Sequence, residues 1–208
     1  MLYSGVKFNK VADMLRGEVN IAIPISDEMF CVYINTLEQF LYTDFIKEQK
    51  RAEINVTNSM VIEINNIVPA IDERKPVYED IMKVYGISGN SRVEYTKSSM
   101  TAGRIFYTKP LYWKEGVNLV FSPMLNMVPE MIELIYYARP KLKEPSNMTE
   151  LEVMVPNEFM TMVYDYMRCE MYKLAVNVTS STQWANEYND WMETFTQWIT
   201  NRNKRYGE

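Results

Sequence analysis

Acidic pairs are the first residues in this chain that could do chemistry. Asp72 with Glu73, and Glu79 with Asp80, could bind a magnesium ion or work as general acid and base. Both pairs lie in polar stretches, where solvated loops or exposed faces are the commoner explanation. We therefore expect neither pair to form a site, and an enzyme that uses carboxylates and a metal is the third of three hypotheses.

Nucleophilic catalysis also lacks its usual residues. The 208 residues include no histidine, so the sequence has no Ser-His or Cys-His pair. None of the seven glycines follows the spacing of a phosphate-binding loop. Cys31 and Cys169 lie outside metal or redox spacing, and we expect them as small buried side chains in a protein made in a reducing cytoplasm. We expect no enzymatic activity, no cofactor and no metal.

The composition indicates a folded, mildly acidic protein. Hydrophobic residues make up 47% and aromatic residues 13%, enough for one sizeable core. The net charge of -5 argues against nucleic-acid binding through a broad basic surface. No apolar run approaches the ~18 residues of a membrane span. We expect no signal peptide, and therefore chance matches at the glycosylation-like triplets of Asn55, Asn147 and Asn177.

The clearest structural pattern is an aromatic stripe near the end of the sequence. Trp184, Trp191 and Trp198 are seven residues apart, and Tyr188 and Phe195 fall between them. Alternating steps of three and four are typical of a helix that packs along its whole length. We expect this stripe to be core, with a subunit or partner interface and ligand stacking as the alternatives.

A second helix is predicted just before the stripe, over 156–176. Asn157 is its expected cap, and its polar residues form only a narrow stripe, so it needs burial on more than one side. A residue among 180–182 is expected to cap the last helix, which runs to about Asn203. The short turn between the two helices predicts a helical hairpin.

Two helices are also predicted at the start of the sequence. The first covers 8–19, and Pro24 breaks the chain after it. Ser26 and Asp27 indicate the beginning of a second helix over 27–49. The charged run 47–51 reads as its solvated end, where cations suit the helix dipole.

The middle of the sequence changes to a period of two, which is typical of strands. Residues 77–85 are ambiguous between helix and strand, and 97–103 reads as a loop. Several short strands with turns between them predict an antiparallel, meander-like sheet. The expected strands lie around 60–64, 92–96, 104–108, 117–121, 131–139 and 151–155.

These elements predict an α+β fold in a single domain, 1–208. N-terminal helices pack with the C-terminal helical hairpin, so that 1–50 and 156–208 form the helical part. The antiparallel β-rich region, 51–155, is inserted between them. No linker or internal repeat is evident in the sequence.

The order of these segments resembles the head-to-tail adaptor (connector) proteins of tailed bacteriophages, which include the tail tubular A proteins of short-tailed phages. The resemblance is strongest over 131–199, with a strand ending in Tyr-Tyr-Ala-Arg-Pro at 136–140 and a turn at 155–159 that opens the hairpin. Trp184, Tyr188 and Phe195 follow the small-residue break at 177–182. The segment with Ile34-Asn35 and 37–41 is similar to the family's second helix.

The resemblance implies a structural neck protein of the virion. Its copies would form a homo-oligomeric ring, expected as a dodecamer, that binds the portal protein at one capsid vertex. The ring would extend the DNA ejection channel and provide the platform for a tail or downstream neck protein. DNA would pass without specific binding, which suits an acidic protein, and no membrane is involved. The protein would be made in the bacterial cytoplasm and located at the portal vertex of the virion.

Partner-binding residues are assigned to the end of the last helix and the basic tail. Trp198, Arg202, Lys204, Arg205 and Tyr206 are the residues expected to contact the portal. The tail would either be disordered or act as a docking arm that orders on its partner.

A second hypothesis comes from a different class of protein. Sixteen methionines and fifteen tyrosines would also suit a small binding module with a hydrophobic pocket between sheet and helices.

Overall fold

The computed structural model describes residues 5–18, 24–56, 60–67, 76–98, 110–122 and 129–206, without the side chains of residues 65, 205 and 206. The fold is α+β, with helices at both ends of the chain and a curled, seven-stranded sheet in the middle, as the sequence predicts. The chain divides into two units. A helical unit comprises Met1–Ile46 and Pro140–Glu208, and a β-rich unit comprises Lys47–Arg139. The single domain stays a prediction.

The helical unit contains α1 (Phe8–Glu18), α2 (Asp27–Leu41), α3 (Met160–Leu174) and α4 (Val178–Tyr206). α3 contacts each of the other three helices. Nearly all of its residues are buried or half-buried, which confirms the prediction that this helix needs burial on several sides. The core of the unit includes Phe8, Val11, Leu15, Phe30, Ile34, Leu37, Met162, Val163, Met167, Phe195 and Ile199.

The start of α2 is as predicted, but its end is not. The Ser26 hydroxyl accepts a hydrogen bond from the Met29 N–H at 3.4 Å and caps the helix. The helix ends at Leu41, widens into a π-helical turn over Tyr42–Ile46, and Lys47 then takes a φ of 45°. Residues 49–51, predicted as the solvated end of a helix, belong to a strand instead. An exposed charged run suits either a helix end or a sheet edge.

The β-rich unit forms one sheet. Its strands are β1 (Gln49–Asn55), β2 (Val61–Glu63), β3 (Ile81–Ser88), β4 (Ser91–Lys97), β5 (Leu111–Glu115), β6 (Asn118–Phe121) and β7 (Met131–Tyr137).

The strand order is β1-β7-β3-β4-β5-β6-β2, so the sheet is not the predicted meander. All pairings are antiparallel except β4 with β5, which run parallel over two residue pairs. The ambiguous stretch 77–85 is a 3-10 turn, Tyr78–Asp80, followed by β3. The strand predicted at 104–108 lies outside the described residues.

The strand predicted at 151–155 is wrong. This segment makes one isolated bridge, Lys7 with Glu152, and Phe8 N–H donates to the Leu151 carbonyl at 3.0 Å. Val153 and Val155 are fully buried in the helical core, so their alternation marks a buried extended segment rather than a sheet strand. Residues 140–155 accordingly belong to the helical unit and not to the β-rich insertion.

Candidate partner-binding surface

The hairpin that carries the predicted surface is closed by backbone hydrogen bonds at its turn. Asn177 N–H donates to the Tyr172 carbonyl at 2.9 Å, and Val176 N–H donates to the Lys173 carbonyl at 3.0 Å. Val176 takes the left-handed conformation, with a φ of 56°. The Asn177 side chain accepts from the Ser180 N–H at 3.1 Å and so caps α4. The predicted cap at 180–182 is therefore wrong, because the helix begins earlier, at Val178.

One residue of the aromatic stripe lies in the core of the helical unit, and Tyr188, Trp191 and Trp198 are half-buried against that core, as the first of the three interpretations predicts. Phe195 is fully buried, with its ring 5.0 Å from Phe159 and 6.3 Å from Phe45. Tyr188 lies 5.3 Å from Tyr166 of α3. These aromatic contacts hold α4 to α3 along its length.

Trp198 is both a core residue and a surface residue. Its ring is 5.4 Å from Phe159 and 6.1 Å from Phe195, and its side chain is half-buried. The Arg202 guanidinium lies 6.0 Å from the centre of the Trp198 ring. The structure therefore brings Trp198 and Arg202 together at the point where α4 leaves the core.

The end of α4 is helical through Tyr206, so the predicted arm is part of the helix. α4 has 29 residues and α3 has 15, so the last two turns of α4 continue beyond the level of Phe159. Lys204 is exposed there, while the side chains of Arg205 and Tyr206 lie outside the described residues. Cations at a helix C-terminus are favoured by the helix dipole, which stabilises this basic end.

The exposed side of α4 changes in charge along its length. Glu187, Asp190 and Glu193 give an acidic middle, and Lys204 lies at the basic end. Between them the exposed residues are neutral and polar: Thr194, Gln197, Thr200 and Asn201.

A buried polar cluster in the helical unit was missed by sequence reasoning. Asn35 makes two hydrogen bonds to the backbone of Lys143, one to its carbonyl and one from its N–H, each 2.8 Å. One turn later, Glu38 accepts from the Met154 N–H at 2.8 Å and from the Lys143 ammonium. We call these four residues the latch, because they hold the segment 140–155 to α2.

The latch carries two charges that are completely removed from water. Glu38 and Lys143 side chains are both 0% exposed. Burial raises the pKa of Glu38, and the nearby Lys143 charge opposes that shift. Such a pair is a weak source of net stability, but the loss of one partner leaves an uncompensated buried charge.

A pocket of about 270 Å³ lies beside the latch. Five of its seven lining residues are charged by type, and Lys7 among them donates to the Glu150 carbonyl at 2.7 Å and pairs with Glu152 at 3.6 Å. All of its lining residues belong to the helical unit, whereas the binding-module hypothesis expects a pocket between sheet and helices. It is lined by Lys7, Lys141, Lys143, Glu150, Leu151, Glu152 and Met154.

The acidic pair Glu79 and Asp80, a candidate for metal binding or acid–base chemistry, is engaged in ion pairs. Glu79 accepts from Lys114 at 3.2 Å, and Arg139 donates to both oxygens of Asp80. In the part of the chain that the structure describes, no cluster of three or more potential ligands could hold a metal ion. The other acidic pair, at 72–73, lies outside that part. Cys31 and Cys169 are free and buried, as predicted.

The β-rich unit also buries a carboxylate. Glu133 of β7 is bound by Arg51 of β1 at 2.8 Å and by Arg92 of β4 at 3.0 Å. Arg92 also lies over the Tyr85 ring, 3.8 Å from its centre. Both arginines are more than half exposed, so this network lies on an open face of the sheet.

No protein-family model matches this chain, and no curated protein is significantly similar to it. Among the described residues, the helices are too short or too polar to cross a bilayer.

Proposed function

We propose that this protein is a structural neck component of a phage virion, a ring-forming head-to-tail adaptor without enzymatic activity. The observation that carries the proposal is the end of α4. This helix is held against α3 by its aromatic contacts, continues past the level of Phe159, and carries a half-buried Arg202 and an exposed Lys204 in its last turns. A rigid basic helix end is suited to docking on an acidic surface of a larger assembly.

The proposed portal contact comprises Trp198, Arg202, Lys204, Arg205 and Tyr206. Trp198 fixes the helix end through Phe159 and Phe195, while Arg202 and Lys204 supply positive charge outside the core. In this proposal the β-rich unit faces neighbouring copies and the tail-side partner. No cofactor takes part.

Passage of DNA without specific binding is supported by the charge distribution. The chain has a net charge of -5, and the exposed middle of α4 is acidic or neutral. An acidic wall repels the phosphates of DNA and so disfavours adhesion.

The test is binding to portal-bearing capsids, measured by co-sedimentation. The variant Arg202→Gln with Lys204→Gln removes two positive charges at the end of α4. The control, Thr182→Glu with Gln183→Glu, adds two negative charges at exposed positions at the other end of the same helix. We expect the first variant to lose binding at least about tenfold and the control to bind normally. Equal binding by both variants would remove the end of α4 from the interface.

A further inference from the structure

The strand β1 lies at one end of the sheet and has a single neighbour, β7, within the described residues. Its bonds to β7 come from even-numbered residues. The Glu48 carbonyl accepts from Ala138 N–H at 2.9 Å, and Val56 N–H donates to the Glu130 carbonyl at 2.8 Å. Along an antiparallel strand, successive residues direct their backbone N–H and C=O groups to opposite sides. The N–H and C=O groups of the odd-numbered residues therefore point away from β7, outward in the plane of the sheet.

The side chains of β1 are exposed on one face of the sheet. The odd-numbered residues Gln49, Arg51, Glu53 and Asn55 are all exposed. A seven-residue edge of this kind is long enough to add another strand, and charged side chains are the usual means by which proteins restrict such pairing. The charges on β1 therefore decide which strand can pair with it.

The sequence of β1 is complementary to itself when two copies run antiparallel. A two-fold axis at Ala52 places Arg51 of each copy opposite Glu53 of the other, and Gln49 opposite Asn55. The odd-numbered residues of one β1 strand then lie opposite odd-numbered residues of the other. About eight backbone hydrogen bonds can form between the two strands. Opposite charges directly across an antiparallel pair are stabilising.

Neighbouring registers are disfavoured by the same charges. An axis at Arg51 would place Arg51 opposite its own copy, and an axis at Glu53 would place two carboxylates in contact. Only the axis at Ala52 pairs all seven residues and matches every charge on the open edge. The register is therefore specified without any further contact.

Pairing of two β1 strands also improves the charge balance on the open face of the sheet. Within one copy Glu53 lies directly opposite Glu133, a like-charge pair. Both carboxylates are paired with the same Arg51, each at 2.8 Å, and only Glu133 has a second cation, Arg92. The Arg51 of a second copy would give Glu53 a cation that it does not share with its own Glu133. We propose that two copies of this chain associate through their β1 edges into a two-fold pair with one continuous sheet.

This pair goes beyond the proposed function and does not depend on it. A two-fold contact closes on itself, whereas a ring of equivalent copies repeats a head-to-tail contact. The β1 pair is therefore a property of the free protein, in which the strand edge is covered before any assembly on a capsid.

Sedimentation velocity over a concentration series tests the pair, with Glu53→Arg as the disrupting variant. This change places arginines opposite each other across the two-fold axis. Within each copy it loses the ion pair with Arg51 but replaces the like-charge pair with Glu133 by an arginine–carboxylate pair, so we expect the fold to be maintained. The double variant Arg51→Glu with Glu53→Arg exchanges the charges and restores the match. Glu94→Arg is the control, because it makes the same change on β4, away from the edge.

We expect the unmodified chain and the Glu94→Arg control to sediment at twice the 24.6 kDa of one chain. Glu53→Arg should weaken association about tenfold or more, and the charge exchange should recover it. An unmodified chain that stays monomeric throughout the series, or an oligomer that Glu53→Arg leaves intact, would overturn the proposal. The portal assay is a separate readout, since Glu53→Arg leaves the end of α4 unchanged.

Discussion

The helical unit and the β-rich unit both bury a carboxylate, but they neutralise it in different ways. In the helical unit, Glu38 and Lys143 are both fully removed from water. In the β-rich unit, Glu133 is buried beneath Arg51 and Arg92, which are 59% and 51% exposed. A pair closed inside the core fixes the path of the chain, whereas arginines on an open face remain available to other partners.

The largest expected effect comes from the closed pair. Lys143→Met leaves the Glu38 carboxylate buried without its cation, and we expect a loss of about 3–5 kcal/mol in the free energy of unfolding at neutral pH. Chemical denaturation measures it, and Lys10→Met at an exposed position is the control.

The double variant Glu38→Gln with Lys143→Met separates charge from packing. It should recover much of the loss, because no charge is left buried and the amide oxygen of the new side chain can still accept from the Met154 N–H. Equal losses in the single and double variants would show that packing, not charge, dominates.

The same substitution of Lys143 should make stability depend on pH in a defined direction. Burial already raises the pKa of Glu38 above its ordinary 4.5, and removal of Lys143 takes away the charge that opposes this shift. A carboxyl with a raised pKa in the folded state costs stability as the pH rises from its unfolded pKa through its folded pKa. The deficit of Lys143→Met should therefore shrink as the pH falls from the raised folded-state pKa of Glu38 toward 4.5, because Glu38 becomes protonated in the folded protein over that range. A deficit that does not change with pH would contradict this assignment.

Glycine substitutions sharpen the contrast between the two units, because the glycine in the sheet is closely packed and the glycine in the helix has free space around it. A Cβ added to Gly86 in β3 would lie 2.8 Å from the Tyr95 ring, whereas one added to Gly17 in α1 has nothing within 4 Å. We expect Gly86→Ala to destabilise by about 1–3 kcal/mol. Gly17→Ala should stabilise by about 0.5–1 kcal/mol through helix propensity. Thermal unfolding of both variants gives the sign of each change in stability. Changes of the same sign would contradict the packing described.

The smallest expected effect is at the hairpin turn. Val176 holds a φ of 56° and is 82% exposed, so its side chain adds strain and little burial. Val176→Gly should stabilise by about 0.5–1 kcal/mol, measured by thermal unfolding. Val178→Gly is the matched control, since Val178 is also exposed but begins α4. If both changes destabilise equally, the conformation of residue 176 carries no strain.

Much of the helical unit was predictable from the sequence, because its signals are local. The stripe from Trp184 to Trp198 and the cap at Ser26 each lie within one element, where spacing alone indicates the structure. The latch was not predictable, since Glu38 and Lys143 are separated by 105 positions and Asn35 appears only as a polar residue in an apolar helix. The strand order was not predictable for the same reason, because β1 pairs with β7, the most distant strand in sequence.

The sequence predicted which residue types form the candidate site, but not the structural environment of each one. Trp198 fits the heptad as a core residue and also adjoins the basic end, and only the structure shows that both descriptions apply. The basic residues after Asn201 were expected as a tail, yet they continue α4. Composition cannot separate a polar tail from a solvated helix end, because both expose the same side chains.

The most direct test of the proposed function is electron microscopy of DNA-filled, tailless capsids incubated with the protein. We predict a ring of added density at the portal vertex with the unmodified chain and with the Thr182→Glu, Gln183→Glu control. The Arg202→Gln, Lys204→Gln variant should leave the vertex bare. A bare vertex with the unmodified, folded chain and a competent portal would contradict the adaptor assignment.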